Sequence, residues 1–253
     1  MNAPDLRTRY LDLLEKSLMD AFHEERRSEM RLRALWQRLR HPYLTRRNPL
    51  LLPRRAHTAI GPTRVRHLRQ LVERTIHENI PGDYIETGVW RGGACILMKG
   101  VLAAHGIADR RVYCADTFTG LPRPDPQFAA DKRDRLYKFR EFAVSEETVR
   151  RNFVAYDLLD DKVIFLKGLF ADTLPKLPNS SFALIRLDGD MYGSTMSALV
   201  NLYDRVSPSG FVVIDDYGGL RNCAKAVHDF LDQRGLRVKI QPIDESCVWW
   251  QKE

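Results

Sequence analysis

No stretch of the 253-residue chain approaches the roughly 18 to 20 consecutive apolar residues that a membrane span requires. The N-terminus, MNAPDLRTRYLDLLEKS, has no apolar core of the signal-peptide kind, so a cytoplasmic protein is expected. Cysteine is scarce: Cys95, Cys114, Cys223 and Cys247 are scattered with no CxxC spacing. That argues against a disulfide framework or a zinc site and for buried, reduced thiols. Internal repeats and low-complexity segments are absent. With 44% hydrophobic and 29% charged residues, the composition excludes a mainly disordered, collagen-like or membrane-spanning chain. The length allows one large domain, or one domain with an extension.

What the chain has in excess is positive charge. Lys and Arg number 40 against 33 Asp and Glu, a formal net charge of +7. On its face this invites a nucleic acid or an anionic membrane as partner. The excess is local, however: residues 1–70 hold 16 Lys/Arg and 7 Asp/Glu, and the remainder is slightly acidic. Basicity therefore marks an N-terminal segment and not the whole protein.

Tyr10, Leu11, Leu13, Leu14, Leu18 and Phe22 recur at helical spacing, predicting an amphipathic helix over 5–22, followed by an Arg-rich helix over about 24–40. Pro42, Pro49, Pro53 and Pro62 then predict an irregular connector. A helix at about 63–79 leads into short apolar strands at Asp83–Thr87, Arg111–Ala115, Lys162–Leu166, Phe182–Leu187 and Gly210–Ile214. These alternate with helices near 92–104, 145–156, 170–175 and 194–206. A helix at 221–233 precedes a closing antiparallel pair near Arg237–Ile240 and Ser246–Trp250, joined by a short QPIDE turn. Alternation of this kind, with strands apolar on both faces, means an α/β fold with a mostly parallel, doubly wound sheet of seven strands. The expected organisation is a helical extension and lid over 1–62 and a catalytic domain over 63–253.

The first strand runs into Tyr84-Ile-Glu-Thr-Gly-Val-Trp-Arg-Gly-Gly-Ala94, a glycine turn opening a helix. Gly88, Gly92 and Gly93 allow a tight turn and close approach to a ligand, and the helix start offers N–H donors. This is not GxGxxG, and Glu86 suits a ligand with a positively charged amino-acid end better than a pyrophosphate. The second strand ends at Asp116, where an acidic residue binds ribose hydroxyls in nucleotide-type sites. Strands four and five end in Leu187-Asp-Gly-Asp-Met-Tyr192 and Val213-Ile-Asp-Asp-Tyr-Gly-Gly219. Asp188, Asp190, Asp215 and Asp216 thus gather at one sheet edge, where they would repel unless a cation compensates them. Hard oxygen ligands select Mg2+, Ca2+ or Mn2+.

In these blocks the sequence resembles the macrocin-type O-methyltransferases. The similar strings are YLDLLEKSL at Tyr10–Leu18, AHTAIG at Ala56–Gly61, PGDYIETGVWRGGA at Pro81–Ala94, DTFTGLPRPD at Asp116–Asp125, LLDDKVIFLKGLFADTLP at Leu158–Pro175, RLDGDMYGSTMSAL at Arg186–Leu199 and VSPSGFVVIDDYGG at Val206–Gly219. The resemblance implies the class I methyltransferase (Rossmann-like) fold and enzymes dependent on S-adenosylmethionine and Mg2+ that methylate sugar hydroxyls of natural products. It implies that Glu86, Gly88, Arg91, Gly92 and Gly93 surround the methionine end of the cofactor, that Asp116 holds the ribose, and that Gly168 to Phe170 lie near the adenine. It further implies that AHTAIG, with Thr58, folds over the cofactor as part of a lid. Asp188, Asp215 and Asp216 match the metal ligands, and Asp190 the general base.

A sugar hydroxyl is almost fully protonated at neutral pH, so methylating it needs a metal to acidify it and a carboxylate to take its proton. Three Asp ligands on an octahedral Mg2+ leave positions for two substrate oxygens, which makes a vicinal diol the expected acceptor. Departures from the family fall elsewhere. They are the Arg-rich stretch after YLDLLEKSL, Gly193 where the family usually carries Glu, and the basic acceptor loop Pro122–Phe142. Two other classes fit less well: a methyltransferase acting on nucleic acid, disfavoured by the lack of an aromatic-plus-basic reader motif, and a non-catalytic cofactor-binding protein, disfavoured by the complete acidic set. A homo-oligomer through the N-terminal helices is plausible. His57 is of interest for its place in the lid string, and His228 reads as a surface or packing residue.

Overall fold

The structure, a computed structural model, describes residues 5–23, 27–40 and 52–253. The connector expected around Pro42 and Pro49 lies outside them, as do the first residues of the expected Arg-rich helix. In chain order the helices are α1 (Leu6–Leu18), α2 (Arg27–Arg40), α3 (Pro62–His77), α4 (Gly93–Ala104), α5 (Glu146–Ala155), α6 (Phe170–Thr173), α7 (Tyr192–Leu202) and α8 (Arg221–Gln233). The strands are β1 (Asp83–Thr87), β2 (Val112–Asp116), β3 (Val163–Lys167), β4 (Phe182–Leu187), β5 (Val206–Ile214), β6 (Gln241–Pro242) and β7 (Val248–Gln251).

All seven strands form one sheet, in the order β3-β2-β1-β4-β5-β7-β6, with β7 antiparallel to both of its neighbours and the remaining pairs parallel. This is the expected doubly wound sheet. The chain order reverses between β1 and β4, which opens the crevice at the carboxyl edge where α/β ligand sites form. The strands are buried on both faces because helices cover both. One core joins α1, α3, α4 and α5 to the sheet through Leu11, Leu68, Val101 and Phe153, and the other joins α7 and α8 through Leu199, Leu202, Val227 and Phe230.

Several boundaries differ from expectation, among them α1, which ends at Leu18 and not at 22. The chain over 237–240 is not a strand. Leu236, Val238 and Ile240 pack on the core, yet the ladder begins only at Gln241 and lasts two residues. Pro242 has no N–H to extend it, and a proline is tolerated there because the strand is at the sheet edge. Helix α7 starts at Tyr192, two residues early, because an outside side chain caps it. It also ends earlier, so that β5 can begin at Val206. In the closing strand Trp250 is fully buried while its neighbour Trp249 is only partly so, as alternation requires.

Helix α1 begins with Asp5, whose carboxylate accepts the N–H of Thr8. Its Leu11, Leu14 and Leu18 are buried in the main core, each contributing about 1.5–3 kcal/mol. On its other edge Glu15 and Asp12 pair with Arg66 and Arg69 of α3. Part of the N-terminal basicity is thus neutralised within the protein. All four cysteines are free and buried.

Candidate active site

The sheet register aligns the site. Beyond the last paired residues, the N–H of Asp188 donates to Thr87 O at 2.8 Å and that of Asp215 to Leu187 O at 2.9 Å. The ends of β1, β4 and β5 therefore place Gly88, Asp188 and Asp215 side by side. At Gly88, with φ of +90°, a Cβ would lie 1.7 Å from the carbonyl oxygen of Asp188, so only glycine fits. Asp190 follows with φ of +59°, a conformation strained for a residue with a side chain.

These residues floor a cavity of about 290 Å³ whose lining includes Gly88, Asp116, Phe170, Asp188, Asp190, Asp215 and Asp216. Within it one carboxylate oxygen from each of Asp188, Asp215 and Asp216 lies within 4.8 Å of the other two. Oδ2 of Asp216 is buried without a hydrogen-bond partner. Burial, and then the charge of Asp215, push Asp188 up to about 6. Burial and the surrounding carboxylates likewise hold Asp190 and Asp216 well above the ordinary range. An all-oxygen donor set, mutual repulsion and one orphaned buried oxygen fit a hard divalent cation.

Beneath the cluster lies Arg186, which the sequence reading did not single out. Its guanidinium is fully buried and pairs with Glu86, Asp188 and Asp215. Glu86 is therefore not at the cavity wall. One of its oxygens meets Arg186 and the other accepts from the Cys95 thiol. Burial pushes Glu86 up to about 7 despite Arg186. The signal that could have found this pair is positional: Glu86 and Arg186 face each other in the β1–β4 register. Arg64, also missed, donates to Asp215 Oδ2 at 2.8 Å and grips Asp244 with Nε and Nη2.

Asp116 lines the cavity, but its carboxylate also builds the glycine turn. One oxygen accepts the N–H of Val89 at 2.7 Å and the other that of Phe118 at 2.8 Å. Burial nevertheless raises its pKa. Arg91 points away from the cavity and donates to the carbonyls of Pro53, Arg54 and Ala56, with its guanidinium over the Trp90 ring. Gly93 N–H donates to His57 O, and a Cβ at Gly92 would meet Val149. Both glycines thus serve packing, Gly93 against the segment at His57 and Thr58 and Gly92 against α5, and neither lines the cavity. Thr58 is buried behind the wall, its hydroxyl accepting from Ile60 N–H, while Ala59 and Ile60 face the cavity. Gly168, at φ of +145°, turns the chain so that Phe170 reaches the wall. His57 bonds the Tyr156 hydroxyl and His228 that of Tyr217, both outside the cavity.

A seven-stranded sheet of this order with a ligand cavity at the carboxyl edge of β1 and β4 defines a class I methyltransferase fold. The family model for macrocin O-methyltransferases (TylF) matches residues 7–252, and the chain belongs to that family of O-methyltransferases. The demethyldecarbamoylnovobiocin O-methyltransferase of Streptomyces niveus is 48% identical over 202 residues, 79% of this chain and 77% of its own. The 8-demethyl-8-(2,3-dimethoxy-alpha-L-rhamnosyl)-tetracenomycin-C 4'-O-methyltransferase of Streptomyces olivaceus is 43% identical over 253 residues, 98% of this chain and 94% of its own. Among solved structures, the O-methyltransferase NovP superposes with a TM-score of 0.83 at 42% identity, covering 97% of this chain and 99% of that one. The calicheamicin methyltransferase CalS11, at 18% identity and a TM-score of 0.62, shares the fold.

Proposed function

We propose that this O-methyltransferase moves the methyl group of S-adenosylmethionine to a sugar hydroxyl on a glycosylated natural product, with Mg2+ held by Asp188, Asp215 and Asp216. The observation that carries the reading is the convergence of one oxygen from each of those three carboxylates within 4.8 Å, beside Asp190, on the floor of the cavity at the carboxyl edge of the sheet. The relatives' names supply the acceptor class, since mycinamicin III is the named acceptor of a 44% identical enzyme from Micromonospora griseorubida. When bound, the cation supplies stabilisation of negative charge developing on the acceptor oxygen and orients a vicinal diol.

The chain's own residues do the rest. Asp190 takes the hydroxyl proton as the oxygen attacks the methyl carbon and the carbon–sulfur bond breaks, leaving S-adenosylhomocysteine. Its buried setting makes it a strong proton acceptor once the positive sulfonium favours its ionised form. In this reading the Gly88 turn lets the cofactor approach, Asp116 holds the ribose and Phe170 faces the adenine, and the presence of all three in the cavity lining supports it. Ala59 and Ile60 close over the cavity and exclude water. The remaining rate effect comes from alignment of oxygen, methyl and sulfur.

A cytoplasmic setting is part of this reading; among the described residues no helix is long and apolar enough to cross a membrane. Leu32, Leu35, Trp36 and Leu39 form an exposed apolar stripe on α2, which supports assembly through the N-terminal helices.

The test is a metal and ligand series. EDTA should abolish turnover of O-demethyl glycosides. Asp188→Ala and Asp215→Ala should abolish it too, while titration calorimetry still detects S-adenosylhomocysteine. Full activity in EDTA would overturn the metal assignment.

A further inference from the structure

Beside the main cavity lies a second one of about 120 Å³, and Thr117, Pro122, Phe170 and Ser194 line both. The two are therefore chambers of one site. The outer chamber has room for about four waters, close to the size of one small ring. Part of its polar rim is engaged: Asp125 accepts from Gln127 N–H and Nε2, and Arg123 lies over the Tyr137 ring. Ser194 and Ser197 also line it, and the rest of what it offers a ligand is the apolar surface of Phe128, Leu169, Phe170 and Met191.

Phe128 stands in this wall because of two other residues. Its ring rests on Gly193, where a Cβ would come within 2.6 Å of it. Asp131, nearly fully buried, accepts the N–H of Tyr192 at 2.9 Å and of Gly193 at 2.8 Å. Those are first-turn N–H groups of α7, which have no partner within the helix, and the N-cap residue is Met191, which has no side-chain acceptor to offer them. Asn222 of α8 completes the latch by donating to Asp131 Oδ1 and Ala130 O. The loop is thus fastened to the helix that begins two residues after Asp190.

We propose that Phe128, seated on Gly193 and locked by Asp131, is a specificity-determining residue, and that its chamber takes an apolar ring attached to the sugar undergoing methylation. This rests on the sugar-acceptor reading above. The probes are 4-nitrophenyl and methyl α-L-rhamnopyranoside, titrated by calorimetry into protein saturated with S-adenosylhomocysteine and Mg2+. The aryl glycoside should bind at least about tenfold more tightly than the methyl glycoside. Phe128→Ala and Gly193→Ala should each erase that difference while S-adenosylhomocysteine affinity stays within about twofold. Should Gly193→Ala not fold, Phe128→Ala decides. Equal affinity of the intact protein for both glycosides, or an aryl preference that survives Phe128→Ala, overturns this inference alone. If neither glycoside binds, the sugar-acceptor reading itself fails and this one with it.

Discussion

Arg64 of α3 and Asp215, the residue after β5, are joined across 151 residues of sequence by a 2.8 Å hydrogen bond from Nη1 to Oδ2. Arg186 holds the other oxygen of the same carboxylate, so Asp215 is clamped between two guanidinium groups. Removing either one leaves a buried charge partly uncompensated.

Arg64→Met should therefore lower stability by about 3 kcal/mol in urea unfolding. It should also change the acid limb. Although burial acts to raise it, the Arg64 fork and the N–H groups of Cys247 and Ser246 bring Asp244 down to about 2. A carboxylate depressed in the folded state stabilises above its unfolded value near 4 and loses that contribution as pH falls toward 2. The wild type should lose stability across that window, and Arg64→Met should lose less.

Glu86 acts in the opposite direction. Raised from 4.5 to about 7 by burial, it keeps its proton in the folded state at pH values where the unfolded chain has released it. Stability should fall as pH rises from about 4.5 to 7 and level off above. Asp188, at about 6, contributes the same sign over the lower part of that range. Denaturant unfolding in EDTA from pH 4 to 8 should show the slope, and Glu86→Gln should flatten it between about 6 and 7.

Arg91→Ala should release the lid. Three carbonyls, of Pro53, Arg54 and Ala56, depend on this guanidinium. Expected outcomes are an S-adenosylhomocysteine affinity weaker by about tenfold in calorimetry and faster proteolysis within residues 53–56. Arg91→Lys should not rescue, because an ammonium cannot reproduce the planar fork.

Gly88→Ala tests the seam between β1 and β4. With its Cβ 1.7 Å from Asp188 O, the two strand ends must separate. Loss of several kcal/mol and of S-adenosylhomocysteine binding is expected, read by thermal unfolding and calorimetry.

The parts of the site legible in the sequence are those set by strand ends. A short apolar run followed by Asp or Gly-rich sequence announces a carboxyl edge, which is why Asp188, Asp190, Asp215 and Asp216 could be placed together in advance. Residues whose role depends on where a long side chain turns were not legible. Glu86 and Arg91 look like ligand contacts by position, yet one turns inward to Arg186 and the other outward to the lid. Arg64 and Asp131 act on elements 151 and 61 residues away, a relationship no local pattern encodes. The edge strand near 237–242 was misjudged because alternation of Leu236, Val238 and Ile240 reports burial of one face, which a packed extended segment satisfies without a ladder.

The carbonyl of Leu18, the last residue of α1, accepts the N–H groups of both His57 and Thr58. The same residue is wholly inside the core. The segment that walls the cavity through Ala59 and Ile60 is thus hung from α1, and the sheet with its other helices cannot be excised as an independent module. Cutting away the first 55 residues would strip α3 and α4 of their apolar cover and unhook the lid in one stroke.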